Sequence, residues 1–146
     1  MGRCLVSAAE RDGIRIICVT LNAPNDWADH TALLDLGFSS VELLTFTPEQ
    51  LEYKIPIAGT TQKISVIPSG SANVACIAGD RNAVITKFNL PEFVYAPIHA
   101  GDTLGNIEYI YNDRMVAKIS LIALSDCIDP QVKTPGFFER LFGGKK

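Results

Sequence analysis

A hydroxyl placed three residues before a lysine would carry the most chemistry in this sequence, because an amine one helical turn away can take the hydroxyl proton and create a nucleophile. Thr60-Thr61-Gln62-Lys63 is the nearest approach. It precedes the alternating apolar run Ile64 to Ile67, so Lys63 reads as a strand entry and not as the base of a helical pair. No Ser-x-x-Lys occurs in the 146 residues. Ser71-Ala72-Asn73 sits in a Pro-Ser-Gly-Ser turn. In Lys133-Thr134-Pro135 the proline removes the backbone donor that a flat, substrate-pairing strand edge requires. The carboxylate pairs Glu49 with Glu52, Asp102 with Glu108 and Asp126 with Asp129 fall in or near turns, where easy solvation leaves nothing to divide them into an acid and a base.

The remaining reactive side chains read as structural. His30 lies on a helix without a nearby serine or cysteine in the sequence, and His99 sits at a corner between Pro97 and Gly101. Cys4, Cys18, Cys76 and Cys127 show no Cys-x-x-Cys spacing and no histidine pair, so no metal site is expected. A hairpin turning at Arg11-Asp12-Gly13 could bring Cys4 near Cys18 as a disulfide, but buried free thiols acting as small apolar residues are the preferred reading. No catalytic, cofactor-binding or metal-binding residue is therefore assigned.

The elements that would position these groups follow from pattern. Leu5 to Ala8 and Ile14 to Leu21 form a hairpin that is apolar on both faces, which suits the interior of a larger covered sheet. Asn22 to Phe38 gives one turn and one helix, with Asn25 or Asp26 capping its start, Asp29 near the positive end of its dipole and Gly37 as a left-handed stop. Trp27, Leu33, Leu34 and Leu36 supply a mostly one-sided apolar set. Short strands then follow over 41–46, 53–57, 63–67, 74–78, 84–88, 95–98, 103–111 and 115–124. Asn112-Asp113 is the best hairpin turn, and Gly101-Asp102 with Gly105 mark another corner. The expected fold is α+β followed by all-β: residues 1–40 as a hairpin plus one helix, 41–128 as a small β-sandwich domain, and 129–146 as a basic amphipathic tail.

Composition narrows the function. At 47% apolar and 20% charged the chain is globular in type, and at this length it buries roughly 70% of its unfolded surface. A net charge of -3 with no basic face before the last residues speaks against a nucleic-acid partner. There is no apolar run of eighteen residues, and no signal peptide is expected within the chain.

Three segments carry a family likeness. Gly2-Arg3-Cys4-Leu5-Val6-Ser7-Ala8-Ala9-Glu10-Arg11-Asp12-Gly13, then Leu33-Leu34-Asp35-Leu36-Gly37-Phe38, then Tyr95-Ala96-Pro97-Ile98-His99-Ala100-Gly101-Asp102-Thr103-Leu104-Gly105 resemble, in order and spacing, the C-terminal part of the serine-type D-alanyl-D-alanine carboxypeptidases, the low-molecular-mass penicillin-binding proteins. The resemblance reaches from Gly2 to about Ala123. It implies that residues 1–40 are a remnant of the peptidase domain, and that the parent trims a terminal D-alanine from peptidoglycan by an acyl-serine route and is acylated by β-lactams. It places that parent outside the cytoplasm, associated with the membrane. This chain lacks both Ser-x-x-Lys and Lys-Thr-Gly, so alone it is expected to be inactive.

The implied partners are the missing peptidase portion, or a second copy meeting it through the first hairpin. Phe137, Phe138, Leu141 and Phe142 beside Arg140 and the terminal lysines read as a short amphipathic helix suited to weak contact with a membrane surface; packing on the β domain, or a disordered end, are its other readings. A rival assignment is a freestanding β-sandwich interaction module at the cell envelope. A biotinyl or lipoyl carrier, suggested faintly by Ala96-Pro97 and Gly101-Asp102, is set aside because no suitable lysine stands in a hairpin turn.

Overall fold

The computed structural model describes residues 2–49 and 52–128. The expected tail of 129–146, with Asp129 and Lys133-Thr134-Pro135, lies outside the described residues. The described chain is mostly β with one helix, as expected: a hairpin, the helix, then a β domain.

Strands β1 (Cys4–Arg11) and β2 (Ile14–Leu21) pair antiparallel from Cys4 opposite Leu21 to Arg11 opposite Ile14. Asp12 and Gly13 close the hairpin at φ 52° and 78°. Positive φ at both central residues matches the right-handed twist of the flanking strands, which is why an Asp-Gly pair serves here. The alternation of the strands divides the hairpin into two unlike faces. Leu5, Ser7, Ala9, Ile16, Cys18 and Thr20 are half-buried or buried, whereas Val6, Ile17, Val19 and Leu21 remain 57–75% exposed. The register sets Cys18 opposite Ser7 and Cys4 opposite Leu21, three positions away, so the considered Cys4–Cys18 disulfide does not form. Cys4 is exposed, contrary to the expected burial.

Helix α1 (Asp26–Ser40) packs on the inner face of the hairpin. Its contact face differs from the expected apolar set. Asp26 and His30 are its buried residues, Leu34, Gly37 and Phe38 are half-buried, and Trp27, Leu33 and Leu36 are 70%, 43% and 61% exposed. Asn25 occupies the N-cap position without a side-chain cap bond. Gly37 lies inside the helix and does not end it, since the chain passes directly into a strand at Val41. Its role is close approach: a Cβ there would stand 2.8 Å from Ile16 Cδ1.

After the helix come β3 (Val41–Phe46), β4 (Tyr53–Pro56), β5 (Lys63–Pro68), β6 (Ala72–Ile77), β7 (Ile85–Asn89), β8 (Thr103–Tyr111) and β9 (Arg114–Ala123), with one 3-10 turn at Arg81–Ala83. β3 pairs with β6, and the others form a five-stranded sheet in the order β4-β5-β9-β8-β7. Asn112 and Asp113 close β8 onto β9 at φ 50° and 59°. Tyr53 on β4 and Phe88 on β7 stand 5.5 Å apart although they belong to the outermost strands, so this sheet curls until its edges approach. The expected strand at Tyr95–Ile98 is absent. Only single bridges form there, Ile57 with Val94 and Ile98 with Cys127, because Pro97 has no N–H with which to extend a ladder. Gly105 is not a corner but a residue within β8, where an added Cβ would lie 2.7 Å from the Asn89 carbonyl oxygen.

Contacts divide the chain into two compact units. One comprises Met1–Pro48, Gly70–Lys87 and Glu108–Ile119; the other comprises Glu49–Ser69, Phe88–Ile107 and Ser120–Lys146. In the first, Leu44, Cys76 and Tyr111 make a small core joined by Phe46 and Val84, and the Phe46 ring lies 4.8 Å from Tyr109. In the second, Ile55, Val66, Ile107 and Leu121 are almost completely buried.

Candidate functional site

The arrangement with most chemical content among the described residues lies between α1 and the hairpin. Ser7 Oγ is 2.6 Å from His30 Nδ1, and Thr20 Oγ1 is 2.9 Å from His30 Nε2. A neutral imidazole donates from one nitrogen and accepts at the other, and a hydroxyl can do either, so both ring nitrogens are satisfied. One helical turn earlier, the Asp26 carboxylate meets Arg3 Nε at 3.0 Å and accepts the Trp27 N–H. The helix is therefore tied to both strands by polar bonds where an apolar stripe was expected. Buried polar groups that have partners hold one geometry, because shifting the helix would leave each of them unsatisfied.

A serine hydroxyl on an imidazole has the form of a nucleophile and its base, but this imidazole is closed in between α1 and the hairpin. His30 is 3% exposed, and its second nitrogen faces a hydroxyl where an orienting carboxylate would stand in a Ser-His-Asp arrangement. Sequence reasoning missed this cluster because Ser7 and His30 are 23 residues apart; the available signal was a histidine at the position on α1 that faces alternate hairpin residues.

The groups singled out from the sequence are not brought together. The Thr60 hydroxyl is used in its own turn, donating to the Ile57 carbonyl and accepting the Gln62 N–H, and Lys63 opens β5 opposite Pro56. Ser71 and Asn73 are exposed, and Asn73 accepts from the Thr45 hydroxyl across the β3–β6 pair. Glu52 accepts from Ser65, while Asp102 and Asp126 accept the backbone N–H groups of His99 and Ala100. His99 stands 3.8 Å from Asp102 and is largely exposed. Both carboxylates thus shape a turn. Among the described residues no cluster has the make-up of a metal site.

Beside the hairpin turn is a cleft of about 320 Å³ lined by Arg11, Asp12, Ile14, Phe38, Val41, Glu42 and Leu43. The Arg11 guanidinium lies 4.5 Å over the Phe38 ring and pairs with Asp35 at 3.4 Å, and Glu42 accepts the Gly79 N–H. Arg11 and Glu42 are thus engaged in joining elements. Nearby, Tyr111 donates to Asp80 and accepts the Ile77 N–H. Burial raises the Cys76 thiol above its ordinary value of 9.0, and the carboxylates of Glu42 and Asp80 push it in the same direction, so it stays protonated and unreactive.

What the fold and these groups define is a hairpin-and-helix element followed by a β domain. Residues 49–127 match the sequence family of the C-terminal domain of penicillin-binding protein 5, and the chain belongs to that family. Solved structures agree in fold. The chain is similar to penicillin-binding protein 5 from Haemophilus influenzae, with TM-score 0.55, 19% identity, and coverage of 84% of this chain and 38% of that one. A D-alanyl-D-alanine carboxypeptidase from Francisella tularensis gives TM-score 0.54 at 24% identity, covering 86% and 33%. A peptidoglycan synthesis regulatory factor from Streptococcus pneumoniae gives 0.60 at 18% identity, covering 86% and 39%. This chain thus spans between a third and two fifths of those structures. No curated protein sequence matches it.

Proposed function

We propose that this chain is the non-catalytic C-terminal portion of a serine-type D-alanyl-D-alanine carboxypeptidase, a scaffold in peptidoglycan maturation whose parent works through an acyl-serine outside the cytoplasm. The observation that carries the reading is the outer face of the first hairpin. Val6, Ile17, Val19 and Leu21 stand 57–75% exposed on a two-stranded sheet, and each forgoes roughly 1.5–3 kcal/mol while it stays wet. Such a face belongs against further sheet or helix, and the similarity to structures more than twice as long supports that reading. The sequence supports the non-catalytic part, since neither Ser-x-x-Lys nor Lys-Thr-Gly occurs in it. No helix among the described residues is long and apolar enough to cross a membrane.

Incubation with a fluorescent penicillin tests the reading. The expected result is no covalent label on the isolated chain and no release of D-alanine from a D-alanyl-D-alanine peptide. A stoichiometric adduct on any serine or threonine would overturn it.

A further inference from the structure

The cleft beside the first hairpin turn is built between fixed walls. The turn lies close on β3, where a Cβ on Gly13 would stand 3.2 Å from Leu43 Cδ2. Half-buried Ile14, Val41 and Leu43 line it on the apolar side, and its volume of about 320 Å³ is at the small end of ligand pockets, suited to a molecule of amino-acid size.

Joining elements uses only part of what its charged groups can bond. The Arg11 guanidinium is held over the Phe38 ring, and of its nitrogens only Nη2 faces a partner, Asp35 at 3.4 Å. A guanidinium oriented by an aromatic ring, with its other N–H donors open, suits a carboxylate. Glu42 accepts the Gly79 N–H at Oε1, 2.8 Å away, which orients its carboxylate and leaves Oε2 open. The Asp12 carboxylate makes no hydrogen bond or ion pair among the described residues, while its backbone is set in the turn at φ 52°. One cation thus stands with two carboxylates around an apolar wall. A ligand of a single charge would be drawn to one of these groups and repelled by another, whereas a ligand bearing both charges pairs with each kind.

We propose that this cleft binds a small zwitterion of the α-amino-acid class with an apolar side chain: its carboxylate on the Arg11 guanidinium, its ammonium toward Asp12 and Glu42, and its side chain against Ile14, Val41 and Leu43. The site goes beyond the scaffold role and does not depend on it, since every lining residue belongs to one compact unit of this chain.

L-leucine is the probe, titrated into the full chain to about 20 mM and followed through backbone amide signals. Those of Asp12, Gly13 and Leu43 move together and saturate, while those of Val66 and Leu121 stay in place. Leucine without its amine, 4-methylpentanoate, and leucine without its carboxylate, 3-methylbutylamine, each bind about tenfold more weakly, as the loss of one charged hydrogen-bonded contact requires. Arg11→Gln and Asp12→Asn each weaken leucine by a similar factor. Asparagine tolerates the left-handed turn position, so the second variant keeps the fold, and its binding of 4-methylpentanoate is unchanged. No saturable movement at residues 12, 13 and 43, equal affinity for the three compounds, or undiminished leucine binding in either variant would overturn the proposal.

Discussion

Replacing His30 by alanine removes one side chain but strands two hydroxyls, Ser7 Oγ and Thr20 Oγ1, at the contact between α1 and both strands. The expected loss is about 2–4 kcal/mol, combining a cavity with unsatisfied polar groups, read from urea unfolding. Two glycines give a sharper comparison. Gly105→Ala drives a Cβ toward the Asn89 carbonyl, which is backbone, and costs about 1–3 kcal/mol. Gly37→Ala meets the terminal methyl of Ile16, which can rotate away, and gains helix propensity, so it stays within about 1 kcal/mol of the parent chain. Cys76 sets a pH dependence. Its folded thiol is raised above 9.0 and the folded state keeps a proton that the unfolded chain releases, so its contribution is complete below pH 9 and is lost as pH rises through the folded value. Thermal midpoints should fall more steeply above pH 9 in the unaltered chain than in Cys76→Ala.

At the scale of elements, the turns were legible because their chemistry is local. Asp12-Gly13 and Asn112-Asp113 both take positive φ, which few residue types tolerate, and strands 41–46 and 103–111 fall where alternation and flanking turns place them. What was not legible depends on residues far apart in sequence. The polar face of α1 makes sense only once Ser7 and Thr20 are seen beneath His30. The distance between Cys4 and Cys18 was fixed by a register that pairs Cys18 with Ser7. The run 95–98 has strand composition, but Pro97 withholds a donor from it. The candidate site was least legible of all, since Thr60, Asp102 and Asp126, each near a useful partner in sequence, are occupied in turns. The β8–β9 turn invites a direct check: Asp113→Gly relieves a left-handed conformation at φ 59° and should raise stability by a few tenths to about 1 kcal/mol in thermal unfolding.

For the whole molecule, the account rests on the asymmetry between its two ends. The β domain has a closed interior in Ile55, Val66, Ile107 and Leu121, whereas the hairpin covers one face with α1 and leaves the other wet. The proposed function gives that face a partner, in a longer parent or in another copy of the chain. Sedimentation velocity across a hundredfold range of concentration tests this most directly, comparing the unaltered chain with Ile17→Lys/Val19→Lys. The account predicts association that grows with concentration and disappears in the lysine variant while the folded β domain persists. A monomer at every concentration, with slow hydrogen exchange through residues 4–21, would contradict it and favour a self-sufficient module.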